Sequence, residues 1–209
     1  MSNVISKSFK SKLSESNQLK VIEVAVNLGI NPNWLLAVIY FETAKSFSPS
    51  KTNSIGSVGL IQFTRDKAGV AYKTINGKKY VLADIGKMDF NTQMDLVSEY
   101  FKEVKKTTGK SLNSFMDVYF AVFFPKALNQ SSTYVLQTGS LTASLIAKQN
   151  PIFDTNKDGK ITKSEIEGFF KSYFIKNGFD FDKEINLKSS LKWVLPLLVF
   201  FYSVLTISM

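Results

Sequence analysis

The chain has 209 residues, 44% of them hydrophobic and 13% aromatic, which supplies a packed core and excludes a disordered protein. It has no cysteine and no histidine, so disulfides, thiol nucleophiles, Ser-His-Asp triads and histidine-based zinc sites are all excluded. Against 17 acidic residues stand 26 basic ones, for a net charge of +9. The scattered lysines favour an acidic partner, and with no zinc finger or RNA-recognition signature beside them no nucleic acid is expected.

Residues 1–17 read as a polar N-terminal segment, with Lys7, Lys10 and Lys12 among serines and without the apolar core of a secretory signal. From Asn17 the apolar residues Leu19, Val21, Ile22, Val24, Ala25 and Leu28 recur at helical spacing, and Gly29 is placed to end the helix. Asn31 and Pro32 then offer an N-cap and a first helical residue to a second helix, Trp34 to Phe41, apolar nearly all round. This helix ends in Glu42. A carboxylate at the end of a buried helix is costly unless it is paired, neutral or open to a cleft, and pairing with Lys45 is the ordinary alternative.

A loop rich in Ser, Lys, Asn and Gly, residues 46–57, suits a cleft wall and runs into Val58-Gly59-Leu60-Ile61-Gln62-Phe63. Tyr72 to Leu82, with Asn76-Gly77 between alternating residues, predicts a small β-hairpin. Apolar spacing predicts helices over Phe90–Lys105 and Ser114–Phe124, the second stopped by Pro125, and a further helix over Leu136–Gln149. Asp66, Asp84 and Asp89 read as solvated loop or cap residues.

Asp154 to Glu165 fills every slot of a twelve-residue calcium loop. Calcium takes six to eight oxygens. Asp154, Asn156 and Asp158 would approach from one side and a bidentate Glu165 from the other. The carbonyl of Lys160 and the side chain of Thr162, directly or through water, would complete the set. Gly159 sits where the loop turns through positive φ, and Ile161 would pack inward. Such EF-hand loops usually come in pairs, and no second one exists here. A structural calcium ion is therefore expected rather than a sensor, with Ile166–Lys176 as the exit helix.

Beyond a basic linker, residues 183–190, the stretch Leu191 to Met209 carries no charge after Lys192. Trp193 to Met209 would span roughly 25 Å as a helix, the short end of what a bilayer core needs. Lys192 and Trp193 would anchor it at the interface. A C-terminal transmembrane helix in a lipid bilayer is the expectation, with a buried C-terminal helix or a half-inserted hairpin broken at Pro196 as the alternative.

The run Asn31 to Thr43, Asn-Pro-Asn-Trp-Leu-Leu-Ala-Val-Ile-Tyr-Phe-Glu-Thr, is followed after a polar loop by Gly56-Ser57-Val58-Gly59-Leu60-Ile61-Gln62-Phe63. This order and spacing resembles the soluble lytic murein transglycosylases of the lysozyme-like superfamily over about Gln18 to Pro125. Phage-type members also carry an Asn-Pro-x-x-Asp-x-Asn-x-Asp-Gly run similar to Asn150–Gly159. The resemblance implies a mainly α, lysozyme-like domain (18–135), with the helix and single EF-hand-like loop of 136–182 packed on it. It implies Glu42 as catalytic acid and base, with Thr43, Ser57, Gln62 and Phe63 around the sugar. Family members place a Tyr opposite the acid in an Ala-Tyr-Asn-Ala-Gly segment. Here the segment is Val118-Tyr119-Phe120-Ala121, so Tyr119 is the candidate, with Tyr100 and Tyr40 as alternatives.

The expected activity is cleavage of the β-1,4 bond between N-acetylmuramic acid and N-acetylglucosamine in bacterial peptidoglycan, with a 1,6-anhydro product. One carboxylate suffices for this, because the substrate's acetamido group can take the place of a second. No cofactor is needed for the chemistry. Alternatives are a hydrolytic muramidase using Asp66 or Asp84 as base, a non-catalytic wall-binding or structural membrane protein, and a membrane-anchored calcium module. The expected location is a phage virion membrane, or else a bacterial envelope facing the periplasm.

Overall fold

The computed structural model describes residues 4–186. The expected membrane helix, residues 191–209, lies outside them, as does the linker from residue 187. Within the described residues the chain is mainly helical with one small two-stranded sheet. None of those helices is by itself long and apolar enough to cross a membrane.

Helix α1 is the single turn Lys7–Lys10. It revises the reading of residues 1–17 as a mere polar lead-in, because Phe9 is fully buried, 4.7 Å from the Phe179 ring and 6.0 Å from that of Tyr40. One aromatic anchors the segment, and its serine and lysine neighbours conceal it in the sequence. Helix α2, Glu15–Leu28, begins where Ser14 accepts the Asn17 N–H and ends at Gly29 with φ 69°. Helix α3, Pro32–Glu42, starts on Asn31, whose side chain accepts the Asn33 N–H, and Pro32 takes the first position, where no N–H is needed. Every residue from Pro32 to Tyr40 is buried, so α3 is the axis around which the others pack.

Strands β1, Tyr72–Ile75, and β2, Lys78–Val81, pair antiparallel with Tyr72 opposite Val81 and Ile75 opposite Lys78. Asn76 and Gly77 make the turn with φ of 50° and 77°, the I′ geometry that matches strand twist. After the short α4, Leu82–Ile85, come α5, Phe90–Thr108, capped by Asp89, and α6, Phe115–Phe123, followed by a 3₁₀ turn at Pro125–Ala127. Helix α7 covers only Ala143–Gln149, and α8 covers Lys163–Lys176.

The helix expected from Leu136 does not form there, because that segment has a better partner. Val135 bridges Thr162, and the Leu136 N–H donates to the Ile161 carbonyl at 2.8 Å. The described part of the expected linker is also packed rather than free: a π turn at Phe181–Ile185 buries both of its end residues. Buried side chains from Ile5 to Ile185 join in one core, in which the rings of α3, α6 and α8 interlock, with Phe170 lying 4.4 Å from Tyr119 and 4.9 Å from Phe41.

Candidate active site

Helix α3 delivers Glu42 to the floor of a cleft of about 320 Å³. Phe41 shares the floor, and Tyr119, Val122 and Phe123 of α6 form one wall. Asn53, Ser57, Ile61, Gln62 and Thr64 form the other wall. Ile55 and Ile152, both well exposed, line the same cleft from two separate loops, and Asn150 and Phe153 stand beside Ile152. A smaller side chamber of about 100 Å³ shares Ile61, Gln62, Thr64 and Val122 with the cleft and is completed by Phe63, Lys73 and Tyr100.

The backbone turns sharply after Glu42, with positive φ at Ala44, Lys45 and Phe47. Backbone held in this region stores strain that the surrounding contacts must offset. Thr43 supplies those contacts: its hydroxyl donates to the Ile39 carbonyl at 2.7 Å and accepts the Phe47 N–H at 2.9 Å. Thr43 is fully buried and does not line the cleft, so its place is in the turn rather than at the substrate expected for it.

Among the described residues Glu42 makes no ion pair or hydrogen bond, and Lys45 lies over the Tyr173 ring, 6.0 Å from its centroid, instead. Desolvation by the packed walls pushes its carboxyl up to about 8. It is therefore a protonated acid at neutral pH, held in a cleft without a cation to ionise it.

Gln62 is buried and adopts a φ of 52°. Its amide donates to the Lys51 and Gly59 carbonyls at 3.0 and 2.9 Å, while its Oε1 is buried without a partner. An acceptor so placed is costly unless a ligand donor meets it. Ser57 is held by the Thr64 hydroxyl at 2.8 Å, and Asn53 Oδ1 accepts the N–H groups of Ile55 and Ser57. Phe63 lines the side chamber rather than the Glu42 cleft.

Of the three candidate tyrosines, Tyr119 lines the cleft, and its hydroxyl makes no hydrogen bond among the described residues. Burial first, then the nearby Glu42 charge, holds its pKa well above the usual value. Tyr100 faces the side chamber and donates to the Ala121 carbonyl at 3.0 Å. Burial, with Glu103 and Glu42 adding to it, pushes Tyr100 up to about 12. Tyr40 packs among Phe9, Phe47 and Phe174, away from the cleft lining. Asp66 accepts the Thr74 N–H, Asp84 pairs with Lys87, and Asp89 caps α5. None of the three lines the cleft, so Glu42 is its only carboxylate among the described residues.

One supporting residue is not legible as such in the sequence. Gln93, fully buried on α5, accepts the Leu60 N–H at 2.5 Å and donates to the carbonyls of Pro49 and Ile85 at 2.9 and 2.8 Å. It fastens the cleft wall to the body. A polar residue on the apolar face that carries Phe90, Met94 and Val97 is the signal that could have found it. Asn150, Ile152 and Phe153 were signalled only as the lead into the calcium loop.

In that loop, Asp154 accepts the N–H groups of Asp158 and Gly159, each at 3.1 Å, and Asn156 accepts that of Asp158 at 2.9 Å. Glu165 forms a capping box with Thr162, and although desolvation opposes it, these hydrogen bonds hold its carboxyl below the usual value. Among the described residues no three acidic side chains converge as they stand on a point that could hold a metal. An EF-hand set also draws on an amide, a hydroxyl and a backbone carbonyl. Asn156, Thr162 and Lys160 hold the positions for these, so the donor types fit calcium.

No protein-family model, no curated protein and no solved structure matches this chain. Function is therefore read from the cleft's own residues.

Proposed function

We propose that the chain is a peptidoglycan-cleaving lytic transglycosylase with Glu42 as its acid and base. The observation that carries this reading is a lone, unpaired carboxyl raised to about 8 in a cleft with no second carboxylate among the described residues. An ordinary inverting or retaining hydrolase uses a second carboxylate as base or nucleophile across the sugar, and neither Asp66 nor Asp84 lines the cleft. A transglycosylase needs one group only.

In the proposed reaction Glu42 gives its proton to the glycosidic oxygen as the bond from the muramic acid C1 breaks and its electron pair stays with that oxygen. The substrate's acetamido group supports the positive charge developing at C1. The Glu42 carboxylate then takes the proton of the muramic acid 6-hydroxyl while O6 bonds to C1, which closes the anhydro ring and restores the acid. The free acceptor of Gln62 suits an amide N–H of the substrate, and the Tyr119 hydroxyl is a donor available to the substrate or to Glu42. The isoleucines of the cleft lining would rest against the apolar faces of sugar rings.

Calcium is proposed as a structural ion of the Asp154–Glu165 loop, held by Asp154, Asn156, Asp158, the Lys160 carbonyl, Thr162 and Glu165. When bound it would neutralise the loop's carboxylates, and the lead residues Ile152 and Phe153 reach the cleft.

The test is mass spectrometry of fragments released from purified peptidoglycan by the full-length chain and by Glu42→Gln. Anhydro-muropeptides from the parent alone are expected. Reducing-end products would instead identify a muramidase, and the absence of products from folded protein would favour a wall-binding role.

A further inference from the structure

The side chamber holds a cation that the proposed chemistry does not use. Lys73 lies on β1, where successive side chains alternate between the two faces of the hairpin. It shares a face with Ile75, which is buried against the body, and with Tyr80 and Lys78 opposite them on β2, where Lys78 lies over the Tyr80 ring. Lys73 is thus turned toward the body, its side chain 27% exposed, and it lines the chamber with Gln62, Thr64 and Tyr100.

Its only ionic partner among the described residues does not satisfy it. Asp66 lies 3.4 Å away, longer than the usual 2.7–2.9 Å of a charge-assisted hydrogen bond, and both Asp66 oxygens already face the Thr74 N–H at 3.1 Å. Beyond Asp66 the Lys73 ammonium has no ionic partner among the described residues, so it keeps donors for a second acceptor. Among the described residues that line the cleft and the side chamber, Glu42 carries the only carboxyl group and Lys73 is the only cation.

We propose that Lys73 is the anion-recognition residue of this site, receiving a carboxylate carried by the lactyl substituent or stem peptide of muramic acid while the glycan lies over Glu42. This rests on the reading of the cleft as a peptidoglycan site. The reactive end of the cleft needs an uncharged acid, and an ammonium close to Glu42 would ionise it. Placing the cation in a separate chamber lets the site select an anionic substituent without lowering the pKa of that acid. A glycan of N-acetylglucosamine alone has the same backbone and acetamido groups but nothing for Lys73 to hold.

The test is calorimetric binding to the full-length Glu42→Gln chain, alone and combined with Lys73→Met or Lys73→Arg. The ligands are a tetrasaccharide with intact stem peptides, one with the stems removed to leave the lactyl carboxylates, and chitotetraose. We expect Lys73→Met to weaken the better anionic ligand by roughly tenfold more than chitotetraose, and Lys73→Arg to retain most of that preference. Preference for the intact tetrasaccharide assigns the stem carboxylate, and preference for the stripped one assigns the lactyl carboxylate. An equal loss for all three ligands, or no loss, would reduce Lys73 to a structural partner of Asp66 and overturn the proposal while leaving the transglycosylase reading intact. A Lys73-dependent preference in a chain that releases no products would do the reverse. Binding of none of the three glycans would overturn both.

Discussion

Glu42 is kept in a place that costs the fold stability. Its folded pKa of about 8 exceeds the ordinary 4.5, so between those values the unfolded chain has released a proton that the native chain retains. Stability attributable to this group is therefore greatest below pH 4.5, falls as pH rises, and levels off above about 8. The full shift corresponds to roughly 4–5 kcal/mol, which water entering the cleft reduces. Glu42→Gln is expected to melt several degrees higher than the parent at pH 8 and at nearly the same temperature at pH 4.5. Thermal unfolding followed across that range checks it, and a pH-independent difference would mean that Glu42 is not desolvated. For the same reason glycan cleavage should be lost as pH rises through about 8, where the acid has given up its proton.

Gly59 is a second residue whose identity is dictated locally. Its φ is 90°, and a Cβ there would collide with the Gln93 carboxamide. Gly59→Ala must both strain the backbone and displace the group that holds Leu60, Pro49 and Ile85 together. A loss of roughly 2–4 kcal/mol is expected by denaturant unfolding. Gln93→Ala should fall in the same range, since it leaves the buried Leu60 N–H and the part-buried Pro49 carbonyl unpaired and removes one of the two donors to the Ile85 carbonyl. A neutral outcome for both would show that the cleft wall holds itself.

Among elements, the Asp154–Glu165 loop is the one whose surroundings depart most from those of a paired EF-hand. The partner loop is replaced by an extended segment: Val135 bridges Thr162, Leu136 binds Ile161, and the Lys163 N–H donates to the Tyr134 carbonyl at 3.1 Å. This explains how a single loop can be braced without a twin. It also ties the loop to the cleft, because Phe153, just before Asp154, packs 6.1 Å from Tyr119 and 6.3 Å from Phe41. Calcium at one hundred times its dissociation constant is expected to add roughly 2.7 kcal/mol, or about 5–10 °C in melting temperature at this size. Asp154→Asn combined with Glu165→Gln should abolish that gain. Melting that is indifferent to calcium and to chelator would refute the site. The elements legible in the sequence were those with strong local signals: the Asn31 cap, Asp89 among the loop or cap residues, the Gly29 stop and the Asn76-Gly77 turn. The expected Leu136 helix failed because its apolar spacing also suits a strand-like segment that finds a partner.

For the whole molecule, residues 5–185 share one core, and the cleft lies where α3, α6, the 53–64 loop and the lead into the calcium loop meet. The sequence by itself determined the helix boundaries set by caps, the hairpin, the twelve-residue loop and the suspicion attached to Glu42. Each of these depends on interactions within a few residues, or on a charge in an apolar run, and such signals are written along the chain. Tertiary structure alone decided that, among the described residues, Glu42 has neither a partner nor a second carboxylate beside it, and that Tyr119 rather than Tyr40 lines its cleft. It also decided that Thr43 serves the turn, that Gln93 fastens the wall and that Lys73 faces the side chamber. Those outcomes depend on which distant segments exclude water from a side chain and which donors they bring within reach, and neither desolvation nor long-range pairing has a local signature.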